Sequence, residues 1–245
     1  MGAALLLQTL AAPLGAALLS WRWPRLGYLW GALALWLVGS LLGGAYGLPA
    51  KAWQWLPLCL LVPAIVAQLA DKRAALALFA VLAALVWWQG LASVLGTEPR
   101  IWLALLPAIT WFAWTGWRDD SREGLGFALG FIWLALVIGI DGSLLIAQLA
   151  GALAAFAGLR ALLAALTGVQ ASPGALALAL AFVQILAWQY VEVPLLVLLP
   201  VWLLPLLEWA LGKQPWLTRW GLLILVAGIG AGLSLWWVWP EASLY

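Results

Sequence analysis

Lys, Arg, Asp and Glu fall at intervals that leave apolar stretches of membrane-spanning length between them, and no other feature of this 245-residue chain constrains its fold as strongly. A helix needs about 17 to 25 apolar residues to cross a hydrocarbon core of about 30 Å. Composition agrees, with 67% hydrophobic and 8% charged residues, where soluble domains carry roughly a quarter charged.

The charge pattern predicts an all-α polytopic integral membrane protein of about ten transmembrane helices, approximately at 3–20, 27–48, 53–70, 74–95, 101–117, 124–140, 143–167, 174–191, 194–211 and 217–239. Two of the breaks are set by length alone. The stretches 124–159 and 174–211 contain only Asp141 and Glu192 as charges, and unbroken each would exceed about 50 Å, too long for one crossing even when tilted. Asp141-Gly142 supplies a turn dipeptide, and Glu192-Val193-Pro194 places a proline where a new helix can open.

Basic residues test this division, because cytoplasmic connections are enriched in them. Odd-numbered connections and the span ends adjoining them carry Arg22, Arg25, Lys72, Arg73, Arg118, Arg122, Arg160, Lys213 and Arg219, whereas even-numbered ones hold only Lys51 and Arg100, so nine of the eleven lie on one side. The expected location is a bacterial inner (plasma) membrane, with both termini on the non-cytoplasmic side and the first span retained rather than cleaved. Thirteen tryptophans near span ends fit the headgroup level. Trp36, Trp87, Trp88, Trp133 and Trp202 lie deeper, where lipid contact or interhelical packing is the favoured reading over a ligand cleft.

Colinear resemblances suggest a parallel duplication inside what is otherwise a single transmembrane domain, 1–245. Leu5-Leu6-Leu7-Gln8 resembles Leu145-Ile146-Ala147-Gln148, and Gly31-Ala32-Leu33-Ala34-Leu35 recurs letter for letter as Gly174-Ala175-Leu176-Ala177-Leu178. Pro57, Pro63 and Asp71 match Pro194, Pro200 and Glu208 at identical separations, and Trp87-Trp88 matches Trp236-Trp237. The expected organisation is a four-helix repeat at 1–96, an inserted helix pair at 97–141 and a second repeat at 142–245. Substrate sites in carriers often lie between such repeats.

Missing residue types narrow the chemistry. The chain has no histidine, one cysteine (Cys59) and no asparagine, so it cannot supply a histidine-ligated haem or zinc, a Ser-His catalytic pair or an iron-sulfur cluster by itself. The expectation is no cofactor, no metal, no catalytic residue and no nucleic-acid partner. Membrane lipid and integral-membrane partner subunits are the expected partners.

Candidate binding residues are Glu192, Gln184, Trp188, Gln148 and Asp141. Gln184, Trp188 and Glu192 stand at i, i+4 and i+8, so a helix continuing through all three would align amide, indole and carboxylate on one face. Gln148 offers a second amide, and Asp141 is the other acid bounded by apolar sequence. The remaining charges, including 117–123, Asp71-Lys72-Arg73 and Glu208 with Lys213, read as solvated, topology-setting groups. Internal prolines at Pro13, Pro57, Pro63, Pro107, Pro200 and Pro205 are candidate kinks. The leading expectation is a small inner-membrane carrier or flippase-like transporter for a small or lipid-linked substrate. A non-catalytic membrane subunit that stabilises or assembles a larger complex is second, and an enzyme acting on a lipid-linked substrate third.

Overall fold

Alanine and leucine dominate the apolar stretches, and both are strong helix formers whose helices satisfy every internal backbone group without water. The computed structural model describes residues 2–44, 49–66, 77–79, 81–82, 124–168, 175–212 and 214–239, and they are helical with no strand among them. In chain order the helices are α1 (Gly2–Arg22), α2 (Gly27–Gly43), α3 (Leu56–Val66), α4 (Leu125–Asp141), α5 (Leu144–Thr167), α6 (Ala175–Tyr190), α7 (Leu195–Leu198), α8 (Leu203–Ala210) and α9 (Trp216–Val238). Single 3₁₀ turns occupy Pro24–Leu26, Ala52–Trp55 and Leu199–Trp202. Most of the expected span 74–95, all of 101–117 and the charged loop 117–123 lie outside the described residues.

Among the described residues two helices, α5 and α9, are long and apolar enough to cross a membrane, and Gly27–Gly43, Ala52–Val66, Leu125–Ile140, Leu176–Tyr190 and Leu195–Ala210 are shorter apolar helices. Both length-imposed breaks are present. α4 ends at Asp141, where the N–H groups of Gly142 and Ser143 both return to the Ile138 carbonyl at 3.2 and 3.1 Å. Gly142 has φ 127, a conformation open to glycine and costly for other residues. The second break closes with Val191 and Val193 donating to the Ala187 carbonyl.

The bundle is arranged around α6, in which every residue from Leu176 to Ala187 is buried. A helix apolar on all sides has no solvent face and belongs inside. α6 packs on α3, α4 and α5; α5 in turn packs on α1, α2 and α4. α9 is peripheral. Its buried residues Arg219, Leu223, Ala227, Ala231 and Ser234 form one stripe against α4 and α8, while Leu225, Ile229, Leu233, Trp236 and Trp237 face outward.

Close approaches decide where glycine is needed. A Cβ at Gly126 would lie 2.7 Å from the Leu204 carbonyl oxygen, so α4 meets the start of α8 backbone to backbone. A Cβ at Gly230 would collide with the Trp133 ring, whose Nε1 donates to Ser234 Oγ at 3.1 Å and so ties α4 to α9. Trp133 and Trp202 are therefore packed between helices, and Trp36 is exposed on α2; Trp87 and Trp88 lie outside the described residues.

Candidate functional site

The polar groups singled out from the sequence do not form one face. α6 ends at Tyr190 and Glu192 adopts φ 59, so the helical register that would align Glu192 with Gln184 and Trp188 stops short of it. Pro194 keeps the helix from running on, because it drives Val193 out of helical geometry and has no N–H to return to the Tyr190 carbonyl. Glu192 is exposed at the turn, and Trp188 is half-buried against the core. Gln148 is half-buried on α5, and Asp141 is the last residue of α4.

Gln184 is committed elsewhere. It is buried, its Nε2 donates to the Leu198 carbonyl at 2.7 Å, and its Oε1 accepts from Trp202 Nε1 at 2.7 Å. Both partners belong to the stretch where the chain between Leu195 and Ala210 passes from α-helix to 3₁₀ turn and back. Pro200 lies in that turn and has no N–H to give to the preceding turn of helix. The central helix thus holds an interrupted helix through one side-chain amide.

Among the described residues three charged side chains are buried, Glu208, Arg219 and Arg160, whereas the charge pattern alone reads Glu208 as a solvated group and sets both arginines on the cytoplasmic side. Glu208, at 2% exposure, accepts hydrogen bonds from the backbone N–H groups of Gly124, Leu125 and Gly126 at 2.9, 3.0 and 2.8 Å. It therefore caps α4 from a different helix. No side chain of α4's own N-cap could do so, because that residue is Gly124, with φ 84. The first-turn N–H groups of a helix have no partner within it, and their partial positive charge favours a carboxylate. The sequence obscures this need, because Asp119, Asp120 and Ser121 stand just upstream as apparent capping residues, while the N-cap position itself is Gly124.

Arg219 is buried at the start of α9, one turn before Leu223, which packs with Leu125 and Ala161 in a small cluster completed by Leu207 and Trp220. Arg160 lies on α5 beside that cluster's Ala161, at 8% exposure. Its guanidinium carbon sits 4.3 Å from the Tyr28 ring centroid and 5.4 Å from that of Phe156. The side chain also hydrogen-bonds that of Tyr28. Nη1 is buried and has no acceptor among the described residues. Removing an isolated charge from water costs several kcal/mol per ion even after relaxation, and a desolvated aromatic face offsets about 2 kcal/mol or somewhat more of it. Tyr28 and Phe156 alone therefore leave Arg160 under-compensated.

Among the described residues no group of three or more Cys, Asp or Glu could hold a metal ion. No protein-family model, no curated protein and no solved structure matches this chain.

Proposed function

We infer that this chain is a polytopic membrane protein of about ten spans, working as a small carrier or flippase-like transporter for a small or lipid-linked substrate in a bacterial inner membrane. The observation that supports this most is the interrupted helix 195–210 held against the most buried helix of the bundle by Gln184. Short 3₁₀ stretches inside helices are frequent hinge points, and discontinuous spans are the usual place where carriers expose backbone groups to substrate. The outward apolar side chains of α9 and the buried Arg219 on its opposite stripe suit a helix at a lipid boundary.

A parallel duplication of four helices remains part of this reading. Pro57 sits in the first turn of α3 and Pro194 directly before α7, each followed by a second proline six residues on. An experimental structure whose best internal superposition pairs other helices, or inverts one copy, would refute the duplication.

Transport is tested with the purified chain in vesicles containing fluorescently labelled phosphatidylglycerol. Dithionite should bleach label beyond the outer-leaflet share in vesicles with protein and stop at that share without it. Bleaching that never passes the outer-leaflet share, together with stable co-purification of another membrane protein, would replace the carrier by the second reading, a non-catalytic subunit. The observation favouring that alternative is that Gln184 already has partners while Glu192 stands outside the bundle.

A further inference from the structure

We propose that Arg160, together with the α1–α2 turn beside it, binds a phosphate-bearing anion at the headgroup level. Arg160 is more than nine-tenths buried, and its Nη1 has no hydrogen-bond acceptor among the described residues. The Tyr28 and Phe156 rings provide the surroundings of the guanidinium but no negative charge. Aromatic rings engage the flat face of a guanidinium, whereas its N–H bonds lie in the plane and match the oxygens of a phosphate along an edge.

The backbone is shaped to this side chain. Gly27 opens α2, and a Cβ there would lie 3.4 Å from both Cζ and Nη2 of Arg160 and 3.1 Å from the Ser20 Cβ, so glycine leaves the margin in which the guanidinium lies. Depth is suitable as well. Arg160 precedes the α5 terminus at Thr167 by seven residues, which is about 10 Å along a helix and within reach of a phosphate at a membrane surface. The adjoining turn carries exposed Arg22, Trp21 and Trp23, with the Arg22 guanidinium carbon 5.8 Å from the Trp23 ring centroid. Basic and indole side chains at one level are what an anionic interface attracts. Trp30 Nε1, one turn beyond Gly27 on α2, is a second buried donor that has no acceptor among the described residues.

The inference concerns binding, so it stands or falls separately from transport. Its test uses the full chain in neutral detergent, with the thermal transition followed while phosphatidylglycerol, a phosphate-free glycosyl diacylglycerol or inorganic phosphate is added. Phosphatidylglycerol should raise the wild-type midpoint and the glycosyl lipid should not. Arg160→Met should weaken phosphatidylglycerol binding roughly ten- to hundredfold, the loss expected when hydrogen bonds to a charged group are removed. Arg160→Lys, which keeps the charge but not the planar fork, should fall between them and serves if the methionine variant does not fold. An Arg160-dependent shift with inorganic phosphate as well would make the ligand a soluble phosphate. A shift with phosphatidylglycerol alone would make it a lipid headgroup. Shifts that are equal in wild type and both variants, or equal for the glycosyl lipid and phosphatidylglycerol, would overturn the site. Loss of lipid flipping with phosphatidylglycerol binding intact would refute the carrier reading and leave this one standing.

Discussion

Removing the carboxylate of Glu208 should detach α4 from α8 and cost a large part of the stability of the fold. Three backbone donors converge on it at 2.8 to 3.0 Å, at a site with 2% exposure. A hydrogen bond to a charged group contributes about 1.5 to 3 kcal/mol, and the three are not additive because they share one carboxylate. Glu208→Ala also leaves first-turn N–H groups buried without acceptors, which places the whole loss at about 3 to 5 kcal/mol. For a chain of this size that corresponds to roughly 6 to 20 °C in the midpoint of thermal unfolding. Glu208→Gln keeps one oxygen for Gly124 and Leu125 but turns an NH₂ toward the Gly126 N–H, so it should lose about 2 kcal/mol. Intrinsic fluorescence in detergent is the assay, since 21 tryptophans report on packing. Gly126→Ala supplies a control through geometry, because its Cβ would press on the Leu204 carbonyl and part the same two helices. If the cap is what both changes break, the double variant should lose much less than the sum of the single ones. A Glu208→Ala midpoint within a degree or two of wild type, or strict additivity with Gly126→Ala, would refute the cap.

Gln184→Leu should destabilise by about 1 to 3 kcal/mol, because Trp202 Nε1 and the Leu198 carbonyl lose their partner inside the core; an unchanged unfolding midpoint would show that the amide does not hold the interrupted helix. At the following turn, Glu192→Gly should gain up to about 1 kcal/mol by relieving the left-handed backbone at φ 59. Glu192→Val should lose stability there, and the reverse order would sink the strain argument. Topology is checked by cysteine labelling in a Cys59→Ala background. Cysteines at Thr97 and Ser121 should react from opposite sides of the membrane, and same-side labelling would remove the ten-span arrangement with both termini outside.

Chain breaks were legible in the sequence where length forced them. No single helix can accommodate 124–159 or 174–211 within one bilayer, so Asp141-Gly142 and Glu192-Val193-Pro194 had to be turns, and both are. The orientation of each helix was not legible. α6 is buried along Leu176–Ala187 and α9 on one stripe only, yet both are composed of the same apolar residues, so hydropathy carries no sign of which one is central. Gln184 shows the cost of assuming continuity. Its alignment with Glu192 depended on a helix reaching residue 192, while Pro194 already argued that the helix would stop before it.

Charges were misread for a related reason. Counting Lys and Arg by side treats every charge near a span end as solvated, and that assumption fails wherever a helix terminus or ring system can take the charge inside. Arg160 falls within the span 143–167 and not beyond it, so its burial followed from its position once the span was drawn. Glu208 required pairing one helix's missing cap with an acid on another, 82 to 84 residues away in sequence. No local pattern encodes such a pair; only the demand that every buried N–H find an acceptor does. The same demand, applied to Arg160 Nη1, separates that arginine from Glu208: the acid takes three backbone bonds from α4, whereas among the described residues the arginine retains a donor without an acceptor. That contrast is why Glu208 is assigned to the fold and Arg160 to a ligand.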